Sequence, residues 1–168
     1  MPVETISWKK GKIRYIDQTL LPHRVKFVNC SEIKKLWTAI KRLEIRGAPA
    51  IGIAGALGVA LVASRSKAKT SPDLIKEIHK CAKYLASSRP TAVNLFWALA
   101  RMDRLAKSRA SLSAGGLKDL LVKEAIKIID EDKASCRAMA RHGAGLINND
   151  DTVLTHCNAG ALATAGYG

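Results

Sequence analysis

The chain has 168 residues, with 28 Lys and Arg against 14 Asp and Glu, a formal net charge of +14. At 48% hydrophobic and 25% charged residues it has the make-up of a soluble globular protein, one domain or a domain with the beginning of another. Only 5% is aromatic, so the core must come mostly from Ala, Leu, Ile and Val. The basic excess suits a nucleic-acid binder, a protein that attracts phosphorylated metabolites, or part of a longer chain whose acidic half lies elsewhere. The basic residues are scattered along helical stretches, without like-charge blocks or interleaved aromatics, so nucleic acid is not the expected partner. Cys30, Cys81, Cys136 and Cys157 include no Cys-x-x-Cys pair, which excludes a zinc ribbon or disulfide scaffold. No signal peptide is expected, because Glu4 and Lys9-Lys10 interrupt any apolar run. The uncharged stretch Gly47 to Ser64 is at the lower limit for a membrane span, but its Ala/Gly richness predicts a buried helix. A cytoplasmic protein with no membrane partner is expected.

Along the chain, residues 1–30 read as a β lead-in. Thr5 to Trp8 and Lys12 to Ile16 flank Lys9-Lys10-Gly11 as a hairpin, and Arg24 to Val28 alternates as a third strand after Pro22. Residues 31–147 read as helical. Ser31 is a candidate N-cap, followed by the apolar face Ile33, Leu36, Trp37, Ile40 and Leu43. A second helix begins at Pro49 and is apolar all round, hence central. Its Gly52, Gly55 and Gly58 disfavour a helix and imply close approach by a neighbour or ligand. Ser71-Pro72-Asp73 starts a third helix that ends near Ser88, since Arg89 precedes Pro90. Thr91 caps a fourth with Leu95, Leu99, Met102 and Leu105 on one face. Gly115-Gly116 then separates it from a long helix over Leu117 to about Ile147, with a break near Gly143. Residues 148–168 read as a turn, a buried strand over Thr152 to His156, and a Gly/Ala-rich loop, the opening of a Rossmann-like α/β domain whose remainder is absent. The fold class expected is α/β: a mainly helical domain with a few short strands, then the start of that second domain.

Three segments carry chemistry. In Arg46-Gly47-Ala48-Pro49 a guanidinium and a flexible glycine sit at a helix start, where exposed N–H groups and the helix dipole favour a phosphate. The plain alternative is a tight turn with an incidental Arg. In Ser88-Arg89-Pro90-Thr91-Ala92-Val93-Asn94-Leu95 an Arg again precedes a helix start, or merely marks an exposed connection. In Thr155-His156-Cys157-Asn158-Ala159-Gly160 a cysteine follows a strand and precedes glycine-rich backbone, a place where N–H groups and cations activate a thiol. The alternative there is an inert buried thiol. His156 adjoins Cys157, so in a strand the two side chains point apart and form neither a dyad nor a chelate.

Together these segments, with Ala161-Leu162-Ala163-Thr164-Ala165-Gly166-Tyr167-Gly168 and Asp17-Gln18-Thr19-Leu20-Leu21-Pro22, resemble the signature segments of methylthioribose-1-phosphate isomerases. The resemblance covers essentially the whole chain, in order. The wider superfamily includes ribose-1,5-bisphosphate isomerases and regulatory subunits of eukaryotic translation initiation factor 2B, which leaves a non-catalytic interaction protein as the alternative. The resemblance implies isomerisation of 5-methylthioribose 1-phosphate to 5-methylthioribulose 1-phosphate in methionine salvage, without metal or organic cofactor, by a homodimer. It implies Cys157 as catalytic, with Arg46, Arg89 and the backbone of Gly47 and Ala48 on the phosphate. The family's second catalytic residue, an aspartate well downstream of the cysteine, has no counterpart here. The 168 residues alone are therefore expected to be inactive until paired with a C-terminal portion. Cys136 also departs from the resemblance, standing where an Asn is expected.

Overall fold

The computed structural model describes residues 3–168. The expected hairpin is present: β1 (Ile6–Lys9) and β2 (Lys12–Ile16) pair antiparallel, turning through Lys10 and Gly11, both at positive φ. β3 (Phe27–Cys30) extends the sheet on the other side of β2, starting three residues and ending two residues later than the alternation predicted. The register places Ile6 opposite Tyr15 and Ile13 opposite both Trp8 and Cys30, so these side chains share one face. That face is buried against the helices.

Five helices follow: α1 (Ile33–Lys41), α2 (Ala48–Arg65), α3 (Ser71–Ala86), α4 (Val93–Ser108) and α5 (Ala114–Ala144). As expected from its uniform apolarity, α2 is the axis of the molecule. It packs against the other four helices, β1 and β2, and every residue from Ala50 to Leu61 is buried. It is long and apolar enough to cross a membrane, but those neighbours already enclose it. Burying each Ile, Leu or Val fully is worth roughly 1.5–3 kcal/mol, so α2 contributes more to the core than any face of the amphipathic helices. Its glycines admit the neighbours: a Cβ at Gly52 would lie 2.9 Å from the Asn94 carbonyl oxygen of α4, and one at Gly58 would lie 2.6 Å from Leu85 Cδ1 of α3.

Several helix starts differ from the expected caps. Glu32, not Ser31, precedes α1, with no side-chain cap, and Leu43 has left the helix with φ +64°. Thr70 caps α3 by accepting from the Asp73 N–H, while Ser71 donates to the Leu112 carbonyl at 2.5 Å. Thr91 caps nothing; α4 begins at Val93 behind Ala92. Gly115 and Gly116 are not a linker but the first turn of α5, where Ser113 accepts from the Gly116 N–H at 3.1 Å. The Ser hydroxyl, worth about 1 kcal/mol as a cap, offsets part of what the two poor helix formers cost. The helix then runs through Gly143 and ends one residue later at Ala144, short of the expected Ile147.

The largest difference lies after α5. Thr152–His156 forms no strand and is exposed throughout, with Leu154 97% accessible. A strand needs a neighbouring strand to satisfy its backbone, and no described strand pairs with these residues. The expected buried strand is not formed. The tail instead turns back onto the helical body through a 3-10 turn at Ala161–Ala163, burying Ala163, Thr164 and Ala165.

Candidate active site

The Arg46 turn is built from both sides. Tyr15 of β2 donates its hydroxyl to Glu44 at 2.7 Å, and the Glu44 carbonyl accepts from the Gln18 N–H at 3.0 Å. Burial, and then the Glu44 carboxylate beside it, push the Tyr15 phenol well above its usual range, so it stays a donor. Ile45 is fully buried and its N–H donates to the Ala39 carbonyl, pinning the residue before Arg46 to α1. Gly47 follows at φ +94°, a conformation that a side chain disfavours, and ends at the first turn of α2 with no side-chain cap. Pro49 has no N–H, and the first-turn N–H of Ala48 has no acceptor among the described residues.

The second turn is similar. Ala92 donates its N–H to the Arg89 carbonyl at 3.1 Å, and α4 starts at Val93 with no side-chain cap. Two helix N-termini without side-chain caps, each preceded by an Arg, thus face one cavity of about 680 Å³. Arg46, Gly47, Ala48, Arg89, Asn94, Cys157 and Asn158 line it, with Leu43, Ile51 and Val93 as apolar wall. Neither Arg46 nor Arg89 is in an ion pair among the described residues. All five residues singled out in the sequence therefore border the same space. The sequence reading assigned no role to Asn94 and Asn158, although both stand in the quoted segments; only the fold turns them inward.

Cys157 differs from the other cysteines. Cys30, Cys81 and Cys136 are buried, whereas Cys157 is exposed, and it holds φ +61° without being a glycine. A non-glycine residue in the left-handed region is uncommon and is found disproportionately at functional turns. Burial pushes the Cys81 thiol up to about 12 and also raises Cys30 and Cys136, so those three are poor nucleophiles. Among the described residues no three His, Cys, Asp or Glu side chains gather to hold a metal ion.

Beside this cavity lies a second of about 430 Å³, sharing Val93 and Asn94 and reaching Trp97, Ile128, Glu131 and Asp132. Arg101 spans α4 and α5 there, 2.6 Å from Glu124 and 2.5 Å from Glu131. Sequence periodicity gave no sign of this link, because the partners are far apart in the chain.

Comparison with known proteins gives the arrangement a family. A 5-deoxyribose 1-phosphate isomerase of Moorella thermoacetica is 51% identical over 167 residues, 99% of this chain and 48% of its own. A methylthioribose-1-phosphate isomerase of Geobacter metallireducens is 48% identical over 168 residues, all of this chain and 49% of its own. The chain thus spans about half the length of the curated relatives it matches. The crystal structure of 5-methylthioribose 1-phosphate isomerase from Pyrococcus horikoshii superposes with a TM-score of 0.92 at 41% identity, over 98% of this chain and 46% of that one. Translation initiation factor eIF-2B subunit delta from A. fulgidus gives 0.85, also at 41% identity, over 97% of this chain and 47% of that one. With the model of the Initiation factor 2 subunit family matching residues 44–165, the chain belongs to that family, on the side of it that resembles methylthioribose-1-phosphate isomerases.

Proposed function

We propose that this chain supplies the phosphate-binding turns and the reactive cysteine of an aldose–ketose isomerase acting on 5-methylthioribose 1-phosphate. The observation that carries the reading is the single cavity in which Arg46, Arg89, two helix N-termini without side-chain caps and Cys157 meet. A phosphate there gains charge-assisted bonds from both guanidinium groups and from first-turn N–H groups. The apolar wall of Leu43, Ile51 and Val93 suits a sugar whose C5 carries a methylthio group or hydrogen rather than a hydroxyl.

The chemistry explains why an acid/base pair is needed. Phosphate on the anomeric carbon prevents spontaneous opening to an aldehyde, so an acid must protonate the ring oxygen. Hydrogen then moves from C2 to C1 while the C2 hydroxyl becomes the ketone. Cys157 is one member of the pair, held at the cavity rim by its strained turn. The other, by resemblance an aspartate, belongs to a C-terminal portion, so the 168 residues alone do not turn over. The complete protein is expected to be a cytoplasmic homodimer, acting without metal or organic cofactor.

The test follows ketose formation from 5-methylthioribose 1-phosphate and 5-deoxyribose 1-phosphate, with the chain alone and with the C-terminal portion supplied separately or in a longer chain. Ketose is expected only when both portions are present, and Cys157→Ser in the complete protein should abolish it. Full activity from the isolated chain would refute the divided site. The second reading, a non-catalytic subunit of the initiation-factor branch, draws on the likeness to eIF-2B subunit delta. It predicts no ketose with either portion and no loss on changing Cys157.

A further inference from the structure

The tail over residues 161–168 is held to the body at three points. Thr5 Oγ1 donates to the Ala161 carbonyl at 2.8 Å, Gln18 Nε2 to the Leu162 carbonyl at 2.8 Å, and the Ala165 N–H to Asp132 Oδ2 at 2.7 Å. Between the last two anchors sits Ala163, 1% exposed, directly on Gly47. A Cβ on Gly47 would collide with the Ala163 backbone, so the phosphate-binding turn and the tail are in contact with no room between them. Gln18 serves both sides, because its own N–H donates to Glu44, two residues before Arg46.

Asp132 is the one charged anchor. It comes from α5, whereas Gln18 comes from the 3-10 turn at residues 18–20, and it forms no ion pair among the described residues, unlike its neighbour Glu131. Burial pushes its carboxyl above the usual value, opposed by the Ala165 N–H and Lys133. Keeping a half-buried carboxylate without a cation is unfavourable, and its one hydrogen bond is spent on a tail amide. Cys136, one turn along α5 from Asp132, is 4% exposed, and the nearby Gly168 backbone opposes the burial that pushes its thiol up.

We infer that Asp132 is a positioning residue of the phosphate cavity: by fixing Ala165 it seats Ala163 against Gly47 and so sets the Arg46–Gly47 turn. The inference rests on the phosphate reading of that cavity. It assigns the carboxylate no contact with substrate.

Two thiols report on the two halves of the claim. Labelling of Cys136 by a thiol reagent reads whether the tail is docked. Slowing of Cys157 alkylation by inorganic phosphate reads whether the cavity holds its anion. In the unaltered chain Cys157 should react fast, Cys136 slowly, and phosphate should protect Cys157. Asp132→Leu should open Cys136 and raise the phosphate concentration for half-protection about tenfold, the usual scale for losing one hydrogen-bonded anchor. Asp132→Asn keeps an acceptor for Ala165 and should restore both readouts. Gln18→Ala, cutting the bond to the Leu162 carbonyl instead, should reproduce the paired change and serves if Asp132→Leu fails to fold. If Cys136 stays covered in both disruptive variants, Asp132 is no anchor; if it opens with phosphate protection unchanged, the anchor positions nothing. Absence of phosphate protection in the unaltered chain overturns the phosphate reading and the coupling with it, and Cys136 still reports the anchor.

Discussion

Gly52 is where helix packing and the candidate site depend on the same contact. Placing Ala there should gain about 1 kcal/mol of helix propensity. The new methyl, however, would lie 2.9 Å from the Asn94 carbonyl oxygen and 3.3 Å from its carbonyl carbon and Cβ. Backbone cannot swing aside as a side-chain tip can, so the first turn of α4 must move, and overpacking of this kind costs about 1–3 kcal/mol. With α2 buried on all sides the upper part of that range applies, leaving a net loss of about 1–2 kcal/mol and a Tm lower by about 2–8 °C. Because Asn94 and Arg89 flank that turn, phosphate should also protect Cys157 less well. The control is Gly143→Ala in α5, where a Cβ meets nothing within 4 Å; it should raise stability by up to about 1 kcal/mol. Thermal melts of both variants decide the matter. A Gly52→Ala protein as stable as Gly143→Ala would mean that α4 does not press on α2 at this point.

The remaining predictions concern charge. Arg46→Ala and Arg89→Ala should each weaken phosphate protection of Cys157 roughly tenfold, as expected for one charge-assisted hydrogen bond at a solvent-accessible site, with the melting temperature nearly unchanged because neither side chain has an ion-pair partner to lose. Adjacent carboxylates on α5 should respond to pH with opposite sign. The Arg101 hydrogen bond holds Glu131 below its usual 4.5, so its small stabilisation exists above that pH and is lost in acid as the folded-state value is passed. Glu131→Gln should therefore lower Tm slightly at neutral pH and have no effect in strong acid. Burial raises Asp132 above its usual 3.8, so the fold is best served below that pH and loses stability as pH rises through the folded-state value. Asp132→Asn should raise Tm at neutral pH, and the difference should vanish below about 3.8. A shift of the same sign for both variants would refute the assignment of their environments.

The helical body was legible because its signals are local. The uniform apolarity of residues 50–61 can satisfy only a central helix, and the three glycines announced close neighbours without naming them. Caps were read less well. Ser31, Ser71 and Thr91 have the right chemistry, yet Thr70 competes successfully with Ser71 because it bonds both the Asp73 N–H and the Asp73 carboxylate. Ser71 is then drawn to Leu112, a partner that only the tertiary structure supplies. The missing strand has the same origin. Thr152-Val153-Leu154-Thr155-His156 has strand composition, but β-structure is a property of pairs, and composition cannot say whether an edge is present.

The site shows the complementary limit. Each Arg turn by itself was an ordinary connection, and Cys157 by itself an ordinary thiol; what distinguishes them is convergence, which sequence spacing does not encode. Arg46 and Arg89 precede α2 and α4, Gly52 lets those helices meet at Asn94, and both N-termini border one cavity. The packing glycine and the proposed phosphate cradle thus depend on the same contact. Asp132 was invisible for a further reason: it sits inside a long helix, in a stretch of ordinary polar pattern, and its partner is a backbone amide that no sequence motif records. Residues that grip substrate leave a trace in composition near glycines and helix starts. Residues that would hold the grip in place can lie anywhere in the chain, and the role proposed for Asp132 rests on its bond to Ala165 and on the contact of the tail with Gly47.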